Sequence, residues 1–414
     1  MQKKKLIVIG GGAAGFFCAV NAAGENLDVI LLEKTDKVLS KVKVSGGGRC
    51  NVTNACSSIP EMARNYPRGE KFLKQSFHNF FTADTIGWFD KRGVKLKTEA
   101  DGRMFPVSDS SDTIIGCLLQ EANKNKVQLL MNREVERVTV DRNRQFHVEL
   151  KNYEERVADF ICIACGGYAK EQQYKWITNL GHSFEKPVPS LFTFNIPGND
   201  MSQLMGISIN DVTVKLNGTK FSQNGPVLIT HWGLSGPAVL KLSSFAAREL
   251  ASLGYQFSIT VNWVSEYNET SMIERLKMIR NEISSRKIIN QNPFRLPQRF
   301  WEYQINCCDI HSDLRWAHLS SKQQHTLAKQ LCSQPFAVNG KTTCKEEFVT
   351  AGGIKLNEIE ARTMQSKIVP GLFFAGEIMD VDGITGGYNF QHAWTSGFLA
   401  ASAIRQLAGI KELS

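Results

Sequence analysis

The sequence has 414 residues, 42% hydrophobic and 21% charged, with 49 basic against 40 acidic side chains and a net charge of +9. That length exceeds what one hydrophobic core organises, so two or three domains are expected, one inserted in another. The composition excludes a disordered chain, the lack of internal repeats excludes a solenoid, and the charge favours anionic partners such as dinucleotide phosphates, an acidic substrate or nucleic acid.

From Leu6 to Gly24 the chain runs 19 residues without a charge behind Lys3, Lys4 and Lys5, the outline of a signal peptide or membrane anchor. Five glycines and Asn21 argue against that outline. The unbroken apolar part, Leu6 to Ile9, has the length of a buried parallel strand, so a soluble protein of the cytoplasm is expected, with no membrane partner.

After that strand come Gly10-x-Gly12-x-x-Gly15 and a helix-compatible run, Phe16 to Ala23. The first glycine permits the tight turn, the second lets backbone N–H groups approach a pyrophosphate, and the third lets helix and strand pack closely. The helix start then turns its positive dipole end to the phosphates, past Ala13 and Ala14. Asp28 to Glu33 reads as a second strand whose final acid, 18 residues after Gly15, is placed for the ribose hydroxyls of an adenosine, with Lys34 beside it.

NAD and FAD both use this fingerprint, and the next segment separates them. Lys41 to Asn51 is a second glycine-rich basic loop, at the position where FAD proteins of the glutathione-reductase-like type add a further cradle. Lys43, Gly48, Arg49 and Asn51 are its candidate contacts, suited to an anionic or polarised flavin group. From Arg133 to Val140, Gln145 to Leu150 and Val157 to Ile163 the pattern reads as a β-meander, with Val135 near the adenine and Ala164, Cys165 and Gly166 passing close to the cofactor.

Cys162 and Cys165 form the one Cys-x-x-Cys among ten cysteines. On a strand, residues three apart lie about 10 Å from each other on opposite faces. A disulfide needs Cα atoms within about 7 Å, so these read as two core cysteines. No metal-ligand spacing accompanies them, and no metal is expected.

From Ser190 to about Lys341 the pattern is that of an insertion: short strands with turns such as Leu216-Asn-Gly-Thr219, a charged amphipathic helix over Glu269 to Arg286, a linker at Asn292 to Pro297, and a helix over Lys322 to Cys332. Its basic residues read most simply as a solvated face. Pro370 to Glu377 is a further strand ending in glycine and acid, then a glycine-rich loop, Asp380 to Gln391, opens an apolar helix over Ala393 to Leu407. Gly376, Glu377, Gly386, Gly387, Tyr388 and Asn389 are therefore candidates at the pyrimidine edge of a flavin, where a helix start stabilises the anionic reduced ring.

Five segments in order, namely the glycine fingerprint, Lys43 to Asn54, Gly102 to Ser108, Thr230 to Pro237 and Thr385 to Asn389, resemble the YhiN-like or BaiN-like bacterial flavoproteins over nearly the whole chain. The resemblance implies an α/β architecture: a glutathione-reductase-like, FAD-binding Rossmann domain (1–189 and 345–414), interrupted by a β-barrel insert (190–265 and 330–344) with a small helical subdomain (266–329). It also implies FAD contacts at Gly10 to Gly15, Glu33, Arg49, Val135, Gly376 and Gly387. Members usually carry a Ser/Thr/Gly-rich loop after the Gly-Gly ending the meander, whereas this chain reads Tyr168 to Ile177, and the departure is expected to matter on the substrate side.

Flavin chemistry asks of the protein placement, electrostatics and a proton donor. His231 and Tyr388 are the preferred pair, with a structural hydrogen bond and ring packing as their plainer roles. Cys50 beside Arg49 is a weaker candidate, as a low-pKa redox partner. No second glycine fingerprint follows a strand elsewhere, so either NAD(P)H is a transient co-substrate or electrons arrive by another route. The expected function is an NAD(P)H-linked reductase of a small organic acceptor such as an unsaturated carbonyl compound. The alternatives are an oxidase or dehydrogenase of an amine or alcohol and an RNA-binding flavoprotein, the last disfavoured because no dense basic stripe interleaves with aromatics. Oligomeric state is not legible in the sequence.

Overall fold

The computed structural model describes residues 3–198, 200–342 and 349–410. It divides into two compact units, Met1–Pro189 with Lys345–Ser414, and Ser190–Cys344.

The first unit is built on a five-stranded parallel sheet in the order Leu372–Phe374, Phe160–Ile163, Lys4–Ile9, Leu27–Leu32, Gln128–Leu130. Leu6 pairs with Phe160 on one side and Val29 on the other. Leu6, Ile7 and Val8 are wholly buried, as a parallel strand covered on both faces requires, which is why this stretch reads as a continuous apolar run. The helix Ala13–Ala22 packs on the C-terminal helix Tyr388–Leu407 at Gly397, where a Cβ would lie 2.7 Å from Ala14 O, and Arg405 donates to Ala23 O at 2.8 Å. The two chain ends thus share one core.

Three expected elements have different limits. The third meander strand is two strands: Glu155–Ala158 completes the antiparallel meander with Phe146–Leu150, while Phe160–Ile163 joins the parallel sheet. The break is Asp159, whose N–H donates to Lys5 O (2.9 Å) and whose carboxylate accepts from Lys5 N–H (2.7 Å). The basic glycine loop begins as a helix, Ser40–Gly48, whose helical dihedrals fail at Ser45, Gly46 and Gly47. The C-terminal helix starts at Tyr388, five residues before the expected Ala393.

The second unit holds a seven-stranded antiparallel sheet, running from Gln334–Asn339 at one end of the pairing order to Lys341–Thr342 at the other. Those two strands are consecutive in the chain. Gly340 between them (φ +94°) donates to Tyr255 O and accepts from Asn195 N–H, so the sheet curls round on itself like a barrel. The helices Glu269–Glu282, Gln298–Cys307 and Ser321–Cys332 close it over buried Trp263, Trp301 and Trp316. The first of these ends four residues before the expected Arg286. The helix beginning after Pro297 was not expected. Among the described residues no helix is long and apolar enough to cross a membrane.

Candidate functional site

The turn after the first strand shows what each glycine does. Gly10 has φ +114°, and a Cβ there would lie 2.5 Å from Ala164 O; a Cβ on Gly15 would lie 1.9 Å from Gly10 O. Gly12, by contrast, has nothing within 4 Å of its Cβ position, so its face of the turn is open. Gly12 caps the helix start with no side-chain hydrogen bond, and among the described residues no group accepts from the N–H of Gly12, Ala13, Ala14 or Gly15. Free donors at a helix start are an anion site. Glu33 is fixed beside them: one carboxylate oxygen accepts from Gly11 N–H (2.8 Å), the other from Thr35 N–H and hydroxyl (2.9 Å each).

Gly10, Glu33, Lys34, Val135 and Cys165 line one cavity of about 580 Å³. Tyr168 and Trp176 line it too, and the Trp176 indole N–H donates to the Tyr168 hydroxyl at 3.3 Å. The segment from Tyr168 to Trp176 therefore borders the cavity beside Glu33 and Val135. The left-handed turn at Gly166 (φ +75°) and the packing of Gly167 on Thr350, which leaves 2.7 Å to the hydroxyl for a Cβ, send the chain that way.

A second group of donors lies at the other chain end. Gly376 packs on Ala14, leaving 2.8 Å for a Cβ, and its N–H donates to the Ser396 hydroxyl at 2.9 Å. Gly387 packs on Thr53, where a Cβ would meet backbone at 2.4 Å. The Asn51 amide, oriented to satisfy both groups, accepts from Gly387 N–H (2.9 Å) and donates to Thr53 O (3.1 Å). Among the described residues the N–H groups of Tyr388, Asn389 and Phe390 have no acceptor. The loop before them is held firmly. Asn389 exchanges two hydrogen bonds with Gly383 (2.8 and 2.9 Å), Tyr66 donates to Tyr388 O (2.6 Å), and buried Arg68 forms a bidentate ion pair with Asp382. His392 Nε2 donates to Gly376 O at 3.2 Å, and burial lowers its pKa to about 4, so the ring is neutral.

Other expected contacts are engaged within the protein. The Lys43 ammonium pairs with Asp112 (2.5 Å), and the Arg49 guanidinium pairs with Glu99 (2.6 Å) over the Phe105 ring. Glu377 pairs with Lys41 (2.6 Å) and accepts from Thr350 N–H (2.8 Å). Gly48 is exposed, with φ +86° and no neighbour at its Cβ position. Burial pushes the Cys50 thiol up to about 12, which overturns its reading as a reactive thiolate. Burial likewise raises the Tyr388 phenol to about 12 and keeps it protonated. His231 is exposed in the second unit, its ring 3.9 Å from Trp232, so the proposed catalytic pair is not assembled within one unit. Sequence reasoning missed His392, Thr350, Tyr66 and Arg68, none of which belongs to a spacing pattern.

Two helix starts with free donors, glycines without room for a side chain, the Glu33 carboxylate held beside the first of them and an adjoining cavity fit FAD. Three comparisons agree. The family described as HI0933-like protein Rossmann domain matches residues 4–403. The chain is 31% identical to a ribosomal RNA dihydrouridine synthase of Escherichia coli over 97% of this chain and 98% of that one. It is 26% identical to a 3-dehydro-bile acid delta(4,6)-reductase of Clostridium scindens, over 96% and 98%. In fold it is similar to 3-ketosteroid delta1-dehydrogenase of Sterolibacterium denitrificans, with a TM-score of 0.54 at 12% identity over 98% of this chain and 100% of that one. The chain thus belongs to the HI0933-like Rossmann family, the YhiN- and BaiN-like flavoproteins, and is an FAD-dependent oxidoreductase.

Proposed function

We propose that the protein saturates a carbon–carbon double bond conjugated to a carbonyl, and that its acceptor is a uridine of ribosomal RNA. The observation carrying this reading is the 31% identity, end to end, with a protein named for making dihydrouridine in ribosomal RNA. That reaction adds a hydride and a proton across the uracil ring double bond. FAD, when bound and reduced, would supply the hydride, with NAD(P)H, bound transiently, as the proposed source of electrons. A second reading, a free conjugated ketone as acceptor, is favoured by the likeness to the protein named as a bile acid reductase.

In this reading the chain's own residues position the cofactor and manage one proton. The free N–H groups of Gly12 to Gly15 would hold the pyrophosphate of FAD, and those of Tyr388 to Phe390 would serve the flavin pyrimidine. Tyr388 is the candidate proton donor, its phenol kept protonated by burial. A Tyr388→Phe chain is expected to form product about 10²- to 10⁴-fold more slowly with FAD content unchanged. An unaltered rate would remove Tyr388 from the reaction.

The decisive assay is anaerobic. NAD(P)H should bleach the flavin, added ribosomal RNA should restore its colour, and mass spectrometry of the digested RNA should show new dihydrouridine. Reoxidation by conjugated ketones but not RNA would establish the second reading instead, and flavin that stays yellow with NAD(P)H would remove that donor.

A further inference from the structure

Between positions 274 and 299 the chain carries seven basic residues and two acids, Glu274 and Glu282, which pair with Lys277 and Arg275 at 2.8 Å each. Part of this stretch pairs with residues 314–317 as a short ribbon around one antiparallel bridge. Arg286 O accepts from Trp316 N–H (3.0 Å), Ser284 O from Ala317 N–H (3.0 Å) and Leu314 O from Ile288 N–H (2.9 Å), and Lys287 stands opposite Arg315 in antiparallel register. The ribbon is anchored to the core: Ile288 and Trp316 are wholly buried, Trp316 stacks on Trp301, and the Trp301 indole N–H donates to Ile288 O at 3.0 Å.

Arg286, Lys287 and Arg315 are exposed on it. Side chains directly opposite across an antiparallel pair have Cβ atoms about 5 Å apart, where like charges are destabilising. Lys287 is offset by Asp313 at 2.6 Å. Among the described residues neither Arg286 nor Arg315 meets a carboxylate, and Arg280 adds a third guanidinium by donating to Ala317 O at 3.2 Å. Acids offset Arg275, Lys277 and Lys287, and the guanidiniums of Arg286 and Arg315 on either side of this bridge are the cations left over.

We infer that this ribbon docks the phosphodiester backbone of folded ribosomal RNA, an inference that rests on the reading of RNA as acceptor. Guanidinium forks match phosphate oxygens in pairs, and a preformed ribbon loses little conformational freedom on binding. Such contacts position the RNA without reading its sequence.

The test uses the full-length FAD-loaded protein, its R286E/R315E variant and the milder R286Q/R315Q variant, with deproteinised ribosomal RNA as probe. Retention on a filter is followed across a salt series, and dihydrouridine formation is measured on the same preparations. Reversal is expected to weaken retention about tenfold to hundredfold and to flatten the logarithmic salt slope by about 2, with the neutral pair intermediate and the flavin spectrum unaltered. Native-like retention and salt slope in both variants would overturn the ribbon alone, leaving the enzymatic reading intact. Variant-sensitive retention with no dihydrouridine from the native protein would support the ribbon and overturn the enzymatic reading. Equal loss of retention on vesicles of phosphatidylglycerol, with RNA retention unchanged, would assign the ribbon to a lipid surface and overturn it as an RNA site.

Discussion

The imidazole of His392 is 2% exposed, with Nε2 on Gly376 O and Nδ1 buried without a partner. Burial disfavours the charged ring and lowers its pKa from 6.5 to about 4. In the unfolded chain the ring takes up a proton below about 6.5, while in the folded chain it resists until about 4. The stability linked to neutral His392 is therefore fully present above the upper value and is lost as pH falls across that window. The loss amounts to about 3 kcal/mol. His392→Gln keeps a donor for Gly376 and removes the titration. Urea unfolding is expected to show the native protein losing stability between those pH values more steeply than the variant, and parallel curves would refute this. Nothing in the local sequence marks this histidine, because its chemistry comes from Gly376, sixteen residues away, and from the burial around it.

At the scale of one turn and one helix, the glycines of the first cradle separate packing from binding. A Cβ on Gly15 would meet Gly10 O at 1.9 Å, so Gly15→Ala must push the helix off the strand. A Cβ on Gly12 meets nothing within 4 Å, and Gly12 has an ordinary φ of −91°. Gly15→Ala is expected to lose both thermal stability, by about 1–3 kcal/mol or more, and FAD. Gly12→Ala should keep the stability of the FAD-free protein and lose FAD affinity, since the methyl enters the face where the pyrophosphate approaches. Thermal scans with and without added FAD test this, because a ligand stabilises only the state it binds. If Gly12→Ala retained the full FAD-dependent shift, the open face would not be the pyrophosphate site. The tight turn at Gly10 and the close helix–strand packing at Gly15 were legible in the sequence because each acts within one turn. Element limits were less so: the meander strand breaks at Asp159 through hydrogen bonds to Lys5, a partner far away in the chain.

The whole molecule leaves its first unit through the strand Phe184–Ser190 and returns through Val349–Ile354, which pair in a sheet of their own. Lys355 N–H donates to Ser183 O (3.1 Å), while a Cβ on Gly352 would touch Lys186 O, a spacing that makes the pair antiparallel and sets 189 opposite 349. The exit and return points are neighbours, so a two-residue Asn-Gly turn can replace residues 190–348. The shortened chain is expected to fold cooperatively and hold FAD, with retention of ribosomal RNA lost. Colourless but folded protein would show that the cofactor site needs the second unit.

The sequence alone determined the cofactor's class and the α/β fold, because strand–glycine–helix–acid spacing is a local instruction whose physical meaning does not depend on the rest of the chain. Only the tertiary structure decided which polar groups are spoken for. Lys43 and Arg49 are paired with acids, Cys50 is buried, and Tyr168 with Trp176 faces the Glu33 end of the cofactor site. Charge pairing and burial are set by neighbours distant in sequence, and a residue's type does not name its neighbours.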